Sequence, residues 1–129
     1  MAHSPNCARL LIFWLLLYCG FQNALVAQDL KFYTIGVDKG LSQSAVNCVI
    51  QDRQGFMWFG TQEGLNRYDG NNFKIYKRNP LDSNSLSNNF VYCLLQDRSG
   101  KIWIGTAGGG VHGFEPATER LTHFNHSHE

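Results

Sequence analysis

Apolar positions in this chain come in short runs broken by polar turns, not in helical stripes. Val46, Cys48, Val49 and Ile50 crowd one run, Phe56 to Phe59 a second, Leu65 and Tyr68 mark a third, and Phe73, Ile75 and Tyr76 a fourth. Between them stand Asp52-Arg53-Gln54-Gly55, Gln62-Glu63 and Asp69-Gly70-Asn71-Asn72. In such turns an Asp carboxylate accepts backbone N–H bonds and a Gly takes positive φ. The pattern predicts strands over Ala45–Gln51, Phe56–Gly60, Gly64–Asp69 and Phe73–Lys77. The first is apolar almost throughout, which predicts burial on both faces. The last alternates apolar and basic side chains, as an outer, half-solvated strand does. No stretch of the polar-turn region carries a 3.6-residue apolar period, which excludes a helical solenoid.

The same pattern returns 45 positions later. Gln51 to Thr61 has its twin in Gln96 to Thr106, and 11 of 21 positions are identical between Leu41–Thr61 and Leu86–Thr106. Beyond that the copies differ by an extra Gly in Gly108-Gly109-Gly110 and two more residues in the next turn, aligning Leu65 with Val111, Tyr68 with Phe114 and Tyr76 with Phe124. Four short antiparallel strands in a repeat of this length make a β-propeller blade. The expected fold is therefore all-β, with blade one at residues 41–78, an inter-blade loop at 79–85 and blade two at 86–126. Within residues 28–40, the aromatic run Leu30 to Ile35 reads as a stray strand, equivalent to the fourth strand of a blade. Two blades and one strand make an incomplete ring with open flanks. The chain thus reads as a fragment, with residues 127–129 a truncated end and the missing blades of a parent chain as its first partners.

The N-terminus has another character. Arg9 precedes the apolar run Leu10 to Tyr18, followed by a less apolar stretch to Ala27. That is the plan of a secretory signal peptide over residues 1–27. An uncleaved anchor and a lipoprotein signal ending at Cys19 are the alternatives. Export would leave Cys48 and Cys93, again 45 apart. Matching positions in neighbouring repeats predict matching packing roles as buried small hydrophobes, and a disulfide is the competing reading.

Composition narrows the field. Net charge is +1 and both signs are scattered, so no electrostatic footprint for nucleic acid is present. The motif Asp-x-x-Gly-x-x-Trp-x-Gly-Thr, followed by Gly64-Leu65-Asn66-Arg67-Tyr68-Asp69-Gly70, resembles the two-component regulator propeller repeat of Bacteroidetes-type hybrid histidine kinases. The second copy departs at His112-Gly113, in place of Asn66-Arg67. The resemblance implies a periplasmic sensor region ahead of a membrane helix, kinase, receiver and DNA-binding domain, working as a homodimer. None of that kinase or DNA-binding chemistry stands in this chain, and no enzyme activity or cofactor is expected of it.

The candidate residues divide in two. Asp52, Gly55, Trp58 and Gly60, with Asp97, Gly100, Trp103 and Gly105, resemble the Asp-box hairpins of sialidase-type propellers and read as fasteners. The tryptophans are expected to pack between blades, with sugar stacking as the alternative. The glycine run lacks the following helix a phosphate cradle needs. His123, His126 and His128 lack a fixed fourth ligand, so no metal site is expected. Binding is expected at the other rim, where loops after second strands and between blades gather. There stand Gln43, Ser44, Asn47, Gln62, Glu63, Asn88, Asn89 and Tyr92. Amides and a tyrosine on loops of a rigid scaffold suit a periplasmic oligosaccharide. A free carbohydrate-binding or protein-interaction propeller is the runner-up, and part of a propeller glycosidase or lyase the third reading.

Overall fold

The computed structural model describes residue 6, residues 9–14 and residues 30–124. It divides into two units, Met1–Tyr33 and Thr34–Glu129. In the first, residues 9–14 are helical and Leu10, Leu11, Ile12, Phe13 and Trp14 are exposed. No helix among the described residues is long and apolar enough to cross a membrane. The expected cleavage region, His126 and His128 lie outside the described residues.

The second unit holds two four-stranded antiparallel meanders, as the repeat predicts. One runs β1 (Val46–Gln51), β2 (Met57–Thr61), β3 (Gly64–Tyr68) and β4 (Phe73–Tyr76). The other runs β5 (Val91–Gln96), β6 (Ile102–Thr106), β7 (Gly110–Glu115) and β8 (Arg120–Phe124). Registers match between copies: Cys48 pairs with Gly60 and Ile50 with Trp58, just as Cys93 pairs with Gly105 and Leu95 with Trp103. Both β1 and β5 carry a bulge after their first residue.

The core is the seam between the two sheets. Strand alternation sends Cys48, Ile50, Trp58, Leu65 and Tyr76 to one face of the first sheet. They meet Leu94, Ile102, Ile104, Phe114 and Leu121 of the second. Trp58 lies edge-on to Phe114, with ring centroids 5.4 Å apart, and stacks on Tyr76 at 6.0 Å. Gly60 is bare for a reason: a Cβ there would strike Cys48 Sγ and come within 2.6 Å of Val91 Cγ1.

Three expectations need correction. Strand β1 is not buried on both faces: Val46 and Val49 are 41% and 49% exposed, because only its Cys48–Ile50 face meets a second sheet. Cys93 is exposed and Cys48 half-buried, both as free thiols. The matching position of Cys93 places it on the flank of the second sheet that faces away from the seam. Residues 30–35 join no sheet, and Leu30, Phe32 and Tyr33 are exposed. An aromatic run becomes a strand only where a partner edge takes its backbone groups, and none does so among the described residues.

Candidate functional site

Each Asp-box turn is a self-contained fastener. Asp52 Oδ1 accepts the N–H groups of Gln54 and Phe56 at 2.9 and 3.0 Å, and Oδ2 accepts the Trp58 indole N–H at 2.8 Å. Asp97 repeats this with Ser99, Lys101 and Trp103. Gly55 and Gly100 turn the chain at φ 94° and 96°. The Ser99 hydroxyl, then the Trp103 indole, hold the Asp97 carboxyl down at about 2. Both carboxylates are engaged through both oxygens inside their own hairpins, which is a fastener's role.

The seam has polar fasteners that sequence reading missed. Arg53 donates from its guanidinium to the carbonyls of Arg98 (2.6 Å) and Asp97 (3.0 Å), and from its backbone N–H to Gln96 Oε1 at 3.0 Å. Glu119, at a left-handed φ of 54°, accepts bonds from Lys74 and Tyr76 and pairs with Arg67 at 3.5 Å. The Lys74 ammonium holds the Glu119 carboxyl below its usual range. Beside the Asp-box turns opens a pocket of about 300 Å³, lined by Asp52, Arg53, Gln54, Gln96 and Glu115 among others. It lies at the end of the sheets opposite the expected rim.

A second missed device anchors the identical Leu-Ser dipeptides. Asn66, fully buried, accepts the Ser42 N–H at 2.8 Å and donates to Ser42 Oγ at 2.8 Å. In the second sheet His112, also fully buried, accepts the Ser87 N–H on Nε2 at 3.2 Å, with the Ser87 hydroxyl 2.9 Å away. A Ser–His contact invites a nucleophile reading. Its twin decides otherwise: Ser42–Asn66 makes the same clasp with no base in it, and the Ser87 hydroxyl donates to the Gly109 carbonyl.

Burial, and then His123 packed edge-on 4.6 Å away, push the His112 pKa below its usual value. The folded state thus prefers the neutral ring, and its contribution is complete above the unfolded pKa of about 6.5 and lost as pH falls below it. Urea midpoints are expected to drop between pH 7.5 and pH 5, and His112→Asn, which copies the first clasp, to flatten that part of the slope. An unchanged slope in the variant would assign the acid sensitivity elsewhere.

The eight expected site residues gather at the end of the sheets where β1 and β3 begin and β2 ends, but half of them are engaged. Asn47 donates to the Val91 carbonyl across the seam at 2.9 Å. Asn88 accepts the Phe90 N–H, Asn89 accepts the Arg78 N–H, and Glu63 lies 3.7 Å from Lys77. Ser44 and Gln62 are exposed, and Tyr92 is 57% exposed with its ring 4.6 Å from that of Phe90. Gln43 Oε1 is buried and makes no hydrogen bond with the described residues.

Residues 40–63 and 85–108, which span both Asp-box hairpins and both Leu-Ser dipeptides, match the family described as two component regulator propeller. These segments are two component regulator propeller repeats. Over 77 residues the chain is 42% identical to histidine kinase P4 of Formosa agariphila, a match covering 58% of this chain and 6% of that protein. Two solved structures from B. thetaiotaomicron share the blade arrangement at 25% identity. One is the extracellular domain of a protein described as a hybrid two component system, with TM-score 0.59 over 74% of this chain and 14% of that one. The other, described as a one component system, has TM-score 0.58 over 70% and 13%. The chain thus spans a small part of each relative, and these propeller repeats are similar to those of extracellular domains.

Proposed function

We propose that these propeller repeats are a ligand-sensing segment of a hybrid two-component sensor kinase, exported to the periplasmic side of the inner membrane and working there within a homodimer. The observation that carries the reading is the division of labour between the two ends of the blades. At one end every Asp-box carboxylate is occupied in its own turn. At the other, Ser44, Gln62 and Tyr92 are exposed, Gln43 Oε1 makes no hydrogen bond with the described residues, and the Tyr92 ring packs on Phe90. Amide groups and an exposed aromatic face at the same end of the blades suit an oligosaccharide, which offers hydroxyls to the amides and C–H faces to the ring. Binding there would bias the kinase by changing how protomers pack.

Calorimetry of the complete sensor region against a panel of oligosaccharides tests this. Heat of binding is expected with at least one glycan, and Tyr92→Ala or Gln62→Ala is expected to weaken it about tenfold, a loss of about 1.4 kcal/mol. Binding that ignores both substitutions would move the site off this rim, and silence from every glycan would remove the carbohydrate assignment.

A further inference from the structure

The two repeats differ at the point where the segment leading into each sheet is held down. In the first, Asn66 Oδ1 accepts the Ser42 N–H, and no group in that clasp titrates. In the second the same place is filled by His112, which is fully buried and accepts the Ser87 N–H on Nε2. A nitrogen that accepts carries no proton, so the proton of the neutral ring is on Nδ1, which is buried without a hydrogen-bond partner among the described residues. One strand over, His123 stands opposite His112 in register and donates from Nε2 to the Ser83 carbonyl at 3.1 Å. The two rings, 4.6 Å apart, thus hold both ends of residues 83–87. That segment runs straight into the rim, where Asn89 accepts the Arg78 N–H and the Phe90 carbonyl accepts the Ala107 N–H at 2.9 Å.

Acid acts on this arrangement at one atom. A second proton goes to Nε2 and turns the acceptor of the Ser87 N–H into a donor. The ring can then donate to the Ser87 hydroxyl oxygen, 2.9 Å away, but the N–H loses its acceptor. The new charge also sits in a buried site. Burial, and then His123 of β8, oppose it more than the Ile104 backbone, opposite His112 on β6, favours it. No carboxylate acts on the ring. Ser87 and Gly109, which bond to one another beside it, carry no charge. The titratable members of the seam cluster, Cys48 and Tyr76, are both pushed up by burial and stay neutral in acid. Arg78 and Asp82, of opposite sign, share a surface cleft with His123.

We infer that His112 and His123 form an acid-released latch: protonation of His112 frees Ser87 and the segment that follows it, loosening Asn88, Asn89 and Phe90 at the rim. The first repeat has no such latch, since Asn66 and Ile75 stand in the two places. Release is local, because Ser87 belongs to no strand. The part of the latch in sensing rests on the rim as the ligand site. The latch itself is measured without a glycan, so the two fail separately.

Amide hydrogen exchange on the full 129-residue chain, read by NMR and corrected for the intrinsic pH dependence of exchange, tests this. The Ser87 amide is expected to lose protection as pH falls below about 6.5, by up to about tenfold per pH unit, the limit for an opening coupled to one proton. The Ser42 amide is expected to keep its protection over the same range. Signals of Asn88, Asn89 and Phe90 are expected to shift along the curve on which Ser87 opens. His112→Asn, which copies the first clasp, is expected to remove the pH dependence at Ser87. Parallel loss at Ser42 and Ser87 would mean general acid unfolding and would overturn the latch. Ser87 protection that ignores pH, or rim signals that stay fixed while Ser87 opens, would overturn it too. Should His112→Asn fail to fold, the contrast between Ser42 and Ser87 in the parent chain decides alone.

Discussion

Trp58→Ala is expected to cost about 3–5 kcal/mol, the scale for emptying a fully buried aromatic site. The indole has no solvent exposure, fills the seam between Tyr76 and Phe114, and ties its N–H to Asp52. Removing it leaves a cavity lined from both sheets and strips the carboxylate of one donor. For small domains held by about 5–15 kcal/mol, that is a large share of the total. Trp103→Ala removes the same side chain from the same hairpin position, with the same 2.8 Å bond to an Asp. Its face is open, so only the hydrogen bond and partial packing are lost, and about 1 kcal/mol is expected. Urea unfolding of both variants, at concentrations too low for association, reads the contrast directly. Equal losses would mean that the Trp103 flank is covered in solution, and that the difference between the two faces is not what sets the energy.

That contrast also marks how far the sequence carries. Repeat spacing, turn chemistry and strand limits were all readable, because each depends on neighbours within a hairpin: Asp52 reaches its three donors within six residues. Which face of an apolar strand is covered depends on a second sheet. Val49 and Ile50 look alike in sequence, yet only Ile50 faces the seam. Leu30 to Ile35 has strand composition without a pairing partner, a non-local requirement that composition does not record. The Leu-Ser clasps were hidden by chemistry: Asn66 and His112 share no residue type, and both present an acceptor to a serine N–H. The Glu119 clamp sits in inserted turn residues with no counterpart in the first copy. At the rim, loop position was legible and side-chain engagement was not. Asn88 and Asn89 are as polar as Gln62, but loop geometry turns their carbonyl oxygens onto backbone N–H groups.

Asp52→Ala is expected to cost about 2–4 kcal/mol, since it orphans two turn N–H groups and a buried indole donor. The sharper variant is Asp52→Asn, which keeps size and one acceptor. A carboxylate accepts on both oxygens, and this one does, with Oδ1 on the turn and Oδ2 on Trp58. A carboxamide must turn its NH₂ towards one of them, setting donor against donor. If its oxygen stays on the turn, the NH₂ faces the Trp58 N–H, and Asn should then be nearly as damaging as Ala. Trp58→Phe removes the opposing donor, so in a double-mutant cycle the Asn and Phe changes should cost less together than their sum, by about 1 kcal/mol or more. The same cycle at Asp97 and Trp103 should give a smaller coupling, because there the pair is partly hydrated. An Asp52→Asn protein as stable as the parent would show that the indole bond adds nothing to the hairpin, and that Trp58 acts through its buried area alone.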